Sequence, residues 1–123
     1  MPWDIKPDRP IYTQLIEQIE LKICSGAYPP GSKLASVRDL AQEASVNPNT
    51  MQRALAKLEE DGLLYTSRTS GRFVTEDVNM IKQVKNRLAK EHVQNFLEKM
   101  TELGFDYNEI LSIISTIAKE MIK

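Results

Sequence analysis

The sequence predicts a mainly α chain with one small β-hairpin. Three observations predict it. Between Gly31 and Gly62, two short amphipathic patterns flank a polar break at Ser45-Val46. Directly after them, from Leu63 to Thr75, two runs of strand composition flank a polar turn that carries arginine. From Glu76 to Lys123 there is no proline and one glycine, Gly104, and apolar residues recur at helical spacing. Helix, break, capped helix and hairpin, in that order, describe a winged helix-turn-helix domain with a two-helix C-terminal dimerisation extension. The expected boundaries are 1–75 and 76–123.

Met1 to Pro10 contains Pro2, Pro7 and Pro10 and reads as extended chain, with Trp3 and Ile5 as anchors packed on the domain. From Ile11 the pattern is helical, with Tyr12, Leu15, Ile16, Ile19 and Ile23 at spacings of three and four. Pro10 suits the first turn of this helix. Ser25-Gly26 ends it, and Tyr28-Pro29-Pro30-Gly31 is a turn that cannot continue it. Cys24, at the helix end, reads as an ordinary core or boundary residue.

Ser36 is a suitable N-cap for the second helix, with Asp39 as a capping-box-like partner. Val37, Leu40, Ala41 and Ala44 form its apolar stripe. Asn47 caps the third helix, with Pro48 at the first position, where a missing N–H does no harm. Met51, Ala54, Leu55 and Leu58 make the buried face, and Gly62 closes the helix. Leu63–Thr66 and Arg72–Thr75 are the expected strands, with Ser67–Gly71 as the turn.

In the tail, Ile81, Val84, Leu88, Val93, Phe96, Leu97, Met100 and Leu103 trace a long helix. Asp106 or Asn108 caps a last helix carrying Ile110, Leu111, Ile113, Ile114, Ile117, Ala118, Met121 and Ile122. Two helices alone bury so wide a face poorly, so a partner chain is its natural cover. A homodimer is expected, with Leu88, Phe96, Leu97, Met100, Ile110, Ile114, Ile117 and Met121 at the interface. The rival reading folds both helices back on their own domain. Dimerisation is preferred because helix-turn-helix proteins usually pair on two half-sites.

The chain of 123 residues fits one domain, or a small domain with an appendage. Charged residues make up 27% and apolar ones 41%, enough of each for a soluble chain with a core. No run reaches the roughly 18–20 apolar residues of a membrane span. No charged-then-apolar leader opens the chain, so no export is expected. One cysteine leaves no internal disulfide and suits a reducing cytoplasm, the expected location.

The net charge of −1 argues weakly against a nucleic-acid partner, yet the local distribution favours one. From Lys33 to Lys57 the bases Lys33, Arg38, Arg53 and Lys57 face only Asp39 and Glu43. Arg68 and Arg72 add positive charge to the hairpin, where no acid lies between Ser67 and Val74. A modest basic face of this kind binds through a few phosphate contacts, with strong salt dependence and weak non-specific affinity.

A helix that reads double-stranded DNA needs short polar side chains near its N-terminus, where backbone N–H groups face phosphate. Asn47, Asn49 and Thr50 meet that demand. Asn49 and Gln52 have the chemistry for paired bonds to adenine, and Arg53 for guanine. Arg38 is placed for phosphate or a groove edge, and Thr50 for phosphate. Each residue also has a plainer role: Asn47 caps its helix with or without DNA, and Arg53 and Lys57 could form a solvated face. The ordered set carries the weight.

Catalysis finds no support. His92 stands in the long helix without a metal-spaced partner, and reads as a surface or interface residue. No Gly-rich phosphate loop follows a strand, and no nucleophile elbow is present. Glu59, Glu60 and Asp61 read as a solvated helix end. No enzyme activity, metal or cofactor is expected.

Taken together, Pro10-Ile11-Tyr12-Thr13-Gln14-Leu15, Gly26, Pro30-Gly31 and Leu34 to Ala41 resemble the bacterial GntR family of transcription regulators, and within it the YtrA subfamily. Val46 to Ala54, Leu58-Glu59, Gly62-Leu63 and Gly71-Arg72-Phe73-Val74 carry the resemblance onward, over about residues 10 to 75. It implies a winged helix-turn-helix that binds operator DNA as a dimer, often to control transporter operons. The YtrA type is similar in its short two-helix tail. Larger members carry an effector domain or an aminotransferase-like domain, and 48 residues leave no room for a pyridoxal-phosphate role.

Family contacts carried over residue by residue select Arg38, Asn49, Thr50 and Arg53, with Gly71 in the wing. The sequence departs from the family pattern at Ala35, where proline is usual, and at Gln52, where arginine is common. In the wing, Thr69 replaces the first glycine and Arg72 the common threonine. Thr69 is less able to take positive φ, so the wing is expected to reach the minor groove through Arg68 or Arg72. A protein-interaction module with docking C-terminal helices is the alternative. An unidentified small apolar or amphipathic effector, bound between those helices and the DNA-binding domain, is a further expectation.

Overall fold

The computed structural model describes residues 3–122; Met1, Pro2 and Lys123 lie outside the described residues. Seven elements follow in chain order: α1 (Ile11–Cys24), α2 (Val37–Ala44), α3 (Pro48–Glu60), β1 (Leu64–Ser67), β2 (Gly71–Val74), α4 (Val78–Glu102) and α5 (Tyr107–Met121). The fold is the expected winged helix-turn-helix followed by two helices. Two compact units divide the chain, the first ending at Lys85 and the second beginning at Asn86.

In the first unit the chain before α1 is extended to Lys6 and then turns over Pro7 to Arg9. It is held by Gln14, a fully buried polar side chain of α1. The Gln14 amide donates to the carbonyls of Lys6 (2.6 Å) and Arg9 (2.8 Å), and its oxygen accepts from the Lys6 N–H (2.7 Å). Trp3 and Ile5 pack on the core as expected. The Lys22 ammonium lies 4.7 Å from the Trp3 ring centre and 5.6 Å from that of Tyr28, a favourable cation–π geometry.

The three helices around the core follow the sequence periodicity. Leu15, Ile19 and Ile23 of α1 meet Leu40, Ala41 and Ala44 of α2 and Met51, Ala54, Leu55 and Leu58 of α3 in one buried cluster. Each such leucine or isoleucine contributes roughly 1.5–3 kcal/mol by leaving water. The caps form as expected: Ser36 Oγ accepts from Asp39 N–H (3.1 Å), and Asn47 Oδ1 from Asn49 N–H (2.7 Å). Ser45, between α2 and α3, has φ 57°, ψ 47°, the left-handed region that favours glycine.

The hairpin pairs Leu64 with Val74, Tyr65 with Phe73, Thr66 with Arg72 and Ser67 with Gly71. The sequence reading assigns Tyr28 to Gly31 to a turn and gives Ser32 to Ala35 no element. The chain from Gly31 to Leu34 in fact lies against β2: Leu34 N–H donates to Arg72 C=O (2.9 Å), Val74 N–H to Ser32 C=O (2.9 Å), and Gly31 N–H to Val74 C=O (3.0 Å). This short third edge ties the wing to the start of α2. Three main-chain bonds leave no strand pattern in residues Ser32-Lys33-Leu34.

Asp77 caps α4, its Oδ1 accepting from the N–H groups of Asn79 and Met80, both at 3.1 Å. Met80, Ile81 and Val84 of its first turns pack on the core. Gly62 has φ 88°, and a β-carbon there would sit 2.9 Å from Met80 Cε. The positive φ favours glycine at the end of α3, and a side chain there would also displace the tip of Met80.

In the second unit, α5 opens on a full capping box. Asp106 Oδ1 accepts from Glu109 N–H (2.9 Å), and Glu109 Oε1 from Asp106 N–H (3.0 Å). Asp106, not Asn108, is the cap. Among the described residues of this unit only Ile110 is buried. Phe96, Leu97, Ile114 and Ile117 remain exposed by 39–47%, and Met121 by 79%. Among the described residues no helix is long and apolar enough to cross a membrane, and no cluster of His, Cys, Asp or Glu could hold a metal ion.

Candidate nucleic-acid interface

α3 is divided sharply along its length. Met51, Ala54, Leu55 and Leu58 are buried, and between them Asn49, Gln52 and Arg53 are exposed, with Thr50 half-buried. The division follows from the apolar spacing, which leaves the polar positions no core to enter. Asn47 is exposed at the cap, with Oδ1 engaged by the Asn49 N–H. Pro48 occupies the first helical position.

Arg38 is exposed in the first turn of α2. The start of this helix and the wing line one open groove of about 650 Å³, walled by Lys33 to Val37 on one side and by Thr66 and Thr69 to Arg72 on the other. Gly71 is exposed with φ 101°, and a β-carbon there would meet Lys33 Cε at 3.2 Å. Lys33 thus lies over the wing backbone, a position that its place in a presumed loop did not reveal.

The two wing arginines differ. Arg68, at the turn, is exposed. Arg72 is not extended outward: only 17% of its side chain is exposed, and its Nε donates to Glu59 Oε1 at 3.4 Å. The Thr66 hydroxyl donates to the same carboxylate oxygen. These bonds hold the Glu59 carboxyl below the ordinary glutamate range, Thr66 first and Arg72 after it. Glu59 is therefore an acceptor engaged by the hairpin while its side chain stays 39% exposed at the helix end. Its position at the inner edge of α3 shows only once the hairpin is folded across it.

Lys57 pairs with Asp61 one turn on (3.3 Å), and this partner raises its pKa. Arg53 instead lies over the ring of Tyr12, its guanidinium carbon 4.6 Å from the ring centre. Sequence periodicity assigned Tyr12 to the core stripe of α1. It is half-buried, with one ring face turned to α3. Among the described residues, Arg38, Arg53, Arg68 and Lys33 on this surface have no carboxylate partner.

The profile of the family described as bacterial regulatory proteins, gntR family, matches residues 11–74. The regulator YhcF of Bacillus subtilis is 36% identical over 111 residues, covering 90% of this chain and 92% of its own. The repressor YtrA of the same organism is 29% identical over 119 residues, covering 96% and 92%. Among solved structures, a GntR family transcriptional regulator from Listeria monocytogenes superposes with a TM-score of 0.86 at 40% identity, covering 91% of this chain and 98% of that one. The DNA-binding domain of AraR in complex with operator ORX1 is similar at 29% identity with a TM-score of 0.54, covering 61% and 95%. These relatives are transcriptional regulators and not enzymes. The chain belongs to the gntR family of bacterial regulatory proteins and is a transcriptional regulator with a DNA-binding winged helix-turn-helix.

Proposed function

We propose that this chain is a sequence-specific repressor that binds an inverted-repeat operator as a homodimer. The exposed Asn49, Gln52 and Arg53, on α3 beside its buried stripe, carry this reading. Those three side chains have the donor and acceptor sets that base edges in the major groove require. Arg38, Thr50 and Arg68 take phosphate, Asn47 fixes the start of the reading helix, and Gly71 lets the wing approach the backbone. Arg72 serves the wing through Glu59 rather than the duplex. Support comes from the operator complex of the AraR domain and from the similarity to the repressor YtrA.

The homodimer reading rests on the second unit. Phe96, Leu97, Ile114, Ile117 and Met121 are exposed apolar side chains, with Leu88 and Met100 half-covered beside them in sequence. A second copy burying this face sets two α3 helices about 34 Å apart, one DNA turn. Ile110 is already covered and contributes least. Repression then follows from promoter occlusion, and a small apolar effector would act by disturbing these helices.

Selection of bound sequences from a random duplex pool tests the proposal. The expected product is an inverted repeat with half-sites about one turn apart. On that duplex, Arg38→Ala and Arg53→Ala should each cost on the order of 1–3 kcal/mol. A folded dimer that binds no duplex at low salt would overturn the reading. Unchanged affinity in both variants would overturn the residue assignment.

A further inference from the structure

The Arg53 guanidinium lies 4.6 Å from the centre of the Tyr12 ring. Among the described residues no carboxylate pairs with Arg53, whereas Lys57, one turn further along α3, is paired with Asp61. Arg53, exposed to solvent, is thus held by a π-face rather than by an ion pair. A ring face offers a guanidinium no lone pair in exchange for its several N–H donors, so donors of Arg53 remain for another acceptor. A long side chain that would otherwise sample many rotamers is thereby restricted before any ligand arrives.

The ring itself has little freedom. Tyr12 stands in the first turn of α1, two residues before Gln14, whose three bonds to Lys6 and Arg9 fasten the preceding chain. The next residue, Leu15, is fully buried. We propose that Tyr12 is a positioning residue that sets the direction of the Arg53 guanidinium and so determines specificity at the one base pair Arg53 reads. The proposal rests on the reading of Arg53 as a base contact.

The test uses the full chain and a duplex selected by it from a random pool. Affinity is measured for the wild type, Tyr12→Phe, Tyr12→Leu, Arg53→Ala and the Tyr12→Leu/Arg53→Ala pair. Each is also measured against duplexes changed one base pair at a time. Tyr12→Phe keeps the ring and should bind within about twofold of wild type. Tyr12→Leu should lose roughly 3–20-fold, with discrimination lost at the same base pair as in Arg53→Ala, and should add nothing in the Arg53→Ala background. Thermal melts check folding, and Tyr12→Met replaces the leucine variant if that one is unfolded.

If Arg53→Ala weakens binding but Tyr12→Leu does not, the positioning role is overturned and the Arg53 contact stands. If Tyr12→Phe is as weak as Tyr12→Leu, the hydroxyl rather than the ring matters, which also overturns it. An undiminished Tyr12→Leu loss in the Arg53→Ala background does the same. If Arg53→Ala binds normally, the underlying contact reading fails first.

Discussion

Arg72 of the wing and Glu59 of the reading helix are joined at 3.4 Å, and Thr66 donates to the same carboxylate oxygen. The wing is thus tied to α3 by side chains as well as by chain connectivity. Because the folded-state pKa of Glu59 is lowered, the stabilisation is complete above the ordinary glutamate value of 4.5 and is lost as pH falls through the lowered value. The Tm difference between wild type and Glu59→Gln should therefore be present at neutral pH and shrink below about pH 4.5. A difference that stays constant down to pH 3 would show that the carboxylate contributes nothing.

The same link separates the two wing arginines. Arg68→Ala should weaken binding to all duplexes alike and reduce the salt slope by about 1. Arg72→Ala should lower Tm, and affinity should fall only as far as the wing loses its place. Salt titrations of both variants on one duplex decide the matter. A full unit of slope lost with Arg72 rather than Arg68 would reverse the assignment.

Ser45 closes α2 with φ 57° and is exposed. The left-handed conformation costs a residue with a β-carbon roughly 1–2 kcal/mol, partly offset by the entropy that glycine loses on folding. Ser45→Gly should stabilise the fold by about 0.5–1 kcal/mol, read as a rise in urea midpoint with unchanged slope. DNA affinity is expected to hold, since no contact is lost.

The apolar face of the second unit makes its own prediction. Ile114 and Ile117 are exposed by 41% and 47%, so a charge at either position costs a lone chain little. The Ile114→Glu/Ile117→Glu pair should sediment as a monomer while its first unit keeps its melt. Operator binding should fall steeply, because one reading helix then works without the other. A dimer that persists in this variant would place the interface elsewhere.

Much of this was legible in the chain because local chemistry and burial agreed. Ser36, Asn47 with Pro48, and the Met51-to-Leu58 spacing each point to one structure, and that structure forms. The misplacements arise where distant segments meet. Glu59 sits in an acidic run that reads as solvated, and only the folded hairpin supplies Thr66 and Arg72 to it. Tyr12 fits the α1 stripe by spacing, yet half of it faces Arg53. Ser32 to Leu34 pair with β2 through main-chain atoms, which leave no trace in residue type. Gln14 was visible as part of a family pattern, and its reason, a staple for the preceding chain, lay in the fold.

The start of α3 has a consequence for how this protein grips its ligand. A helix ordinarily opens with several unbonded amides that attract anions. Here Pro48 has no amide hydrogen, the Asn49 amide is taken by Asn47 Oδ1, and the Met51 amide by the Asn47 carbonyl at 3.1 Å. Among the described residues that leaves Asn47 and Thr50 with uncommitted main-chain donors at this end. On the proposed reading, α3 offers a phosphate two main-chain donors in place of the usual four. The remaining phosphate contacts of that reading then fall to side chains, Arg38 and Arg68 above all.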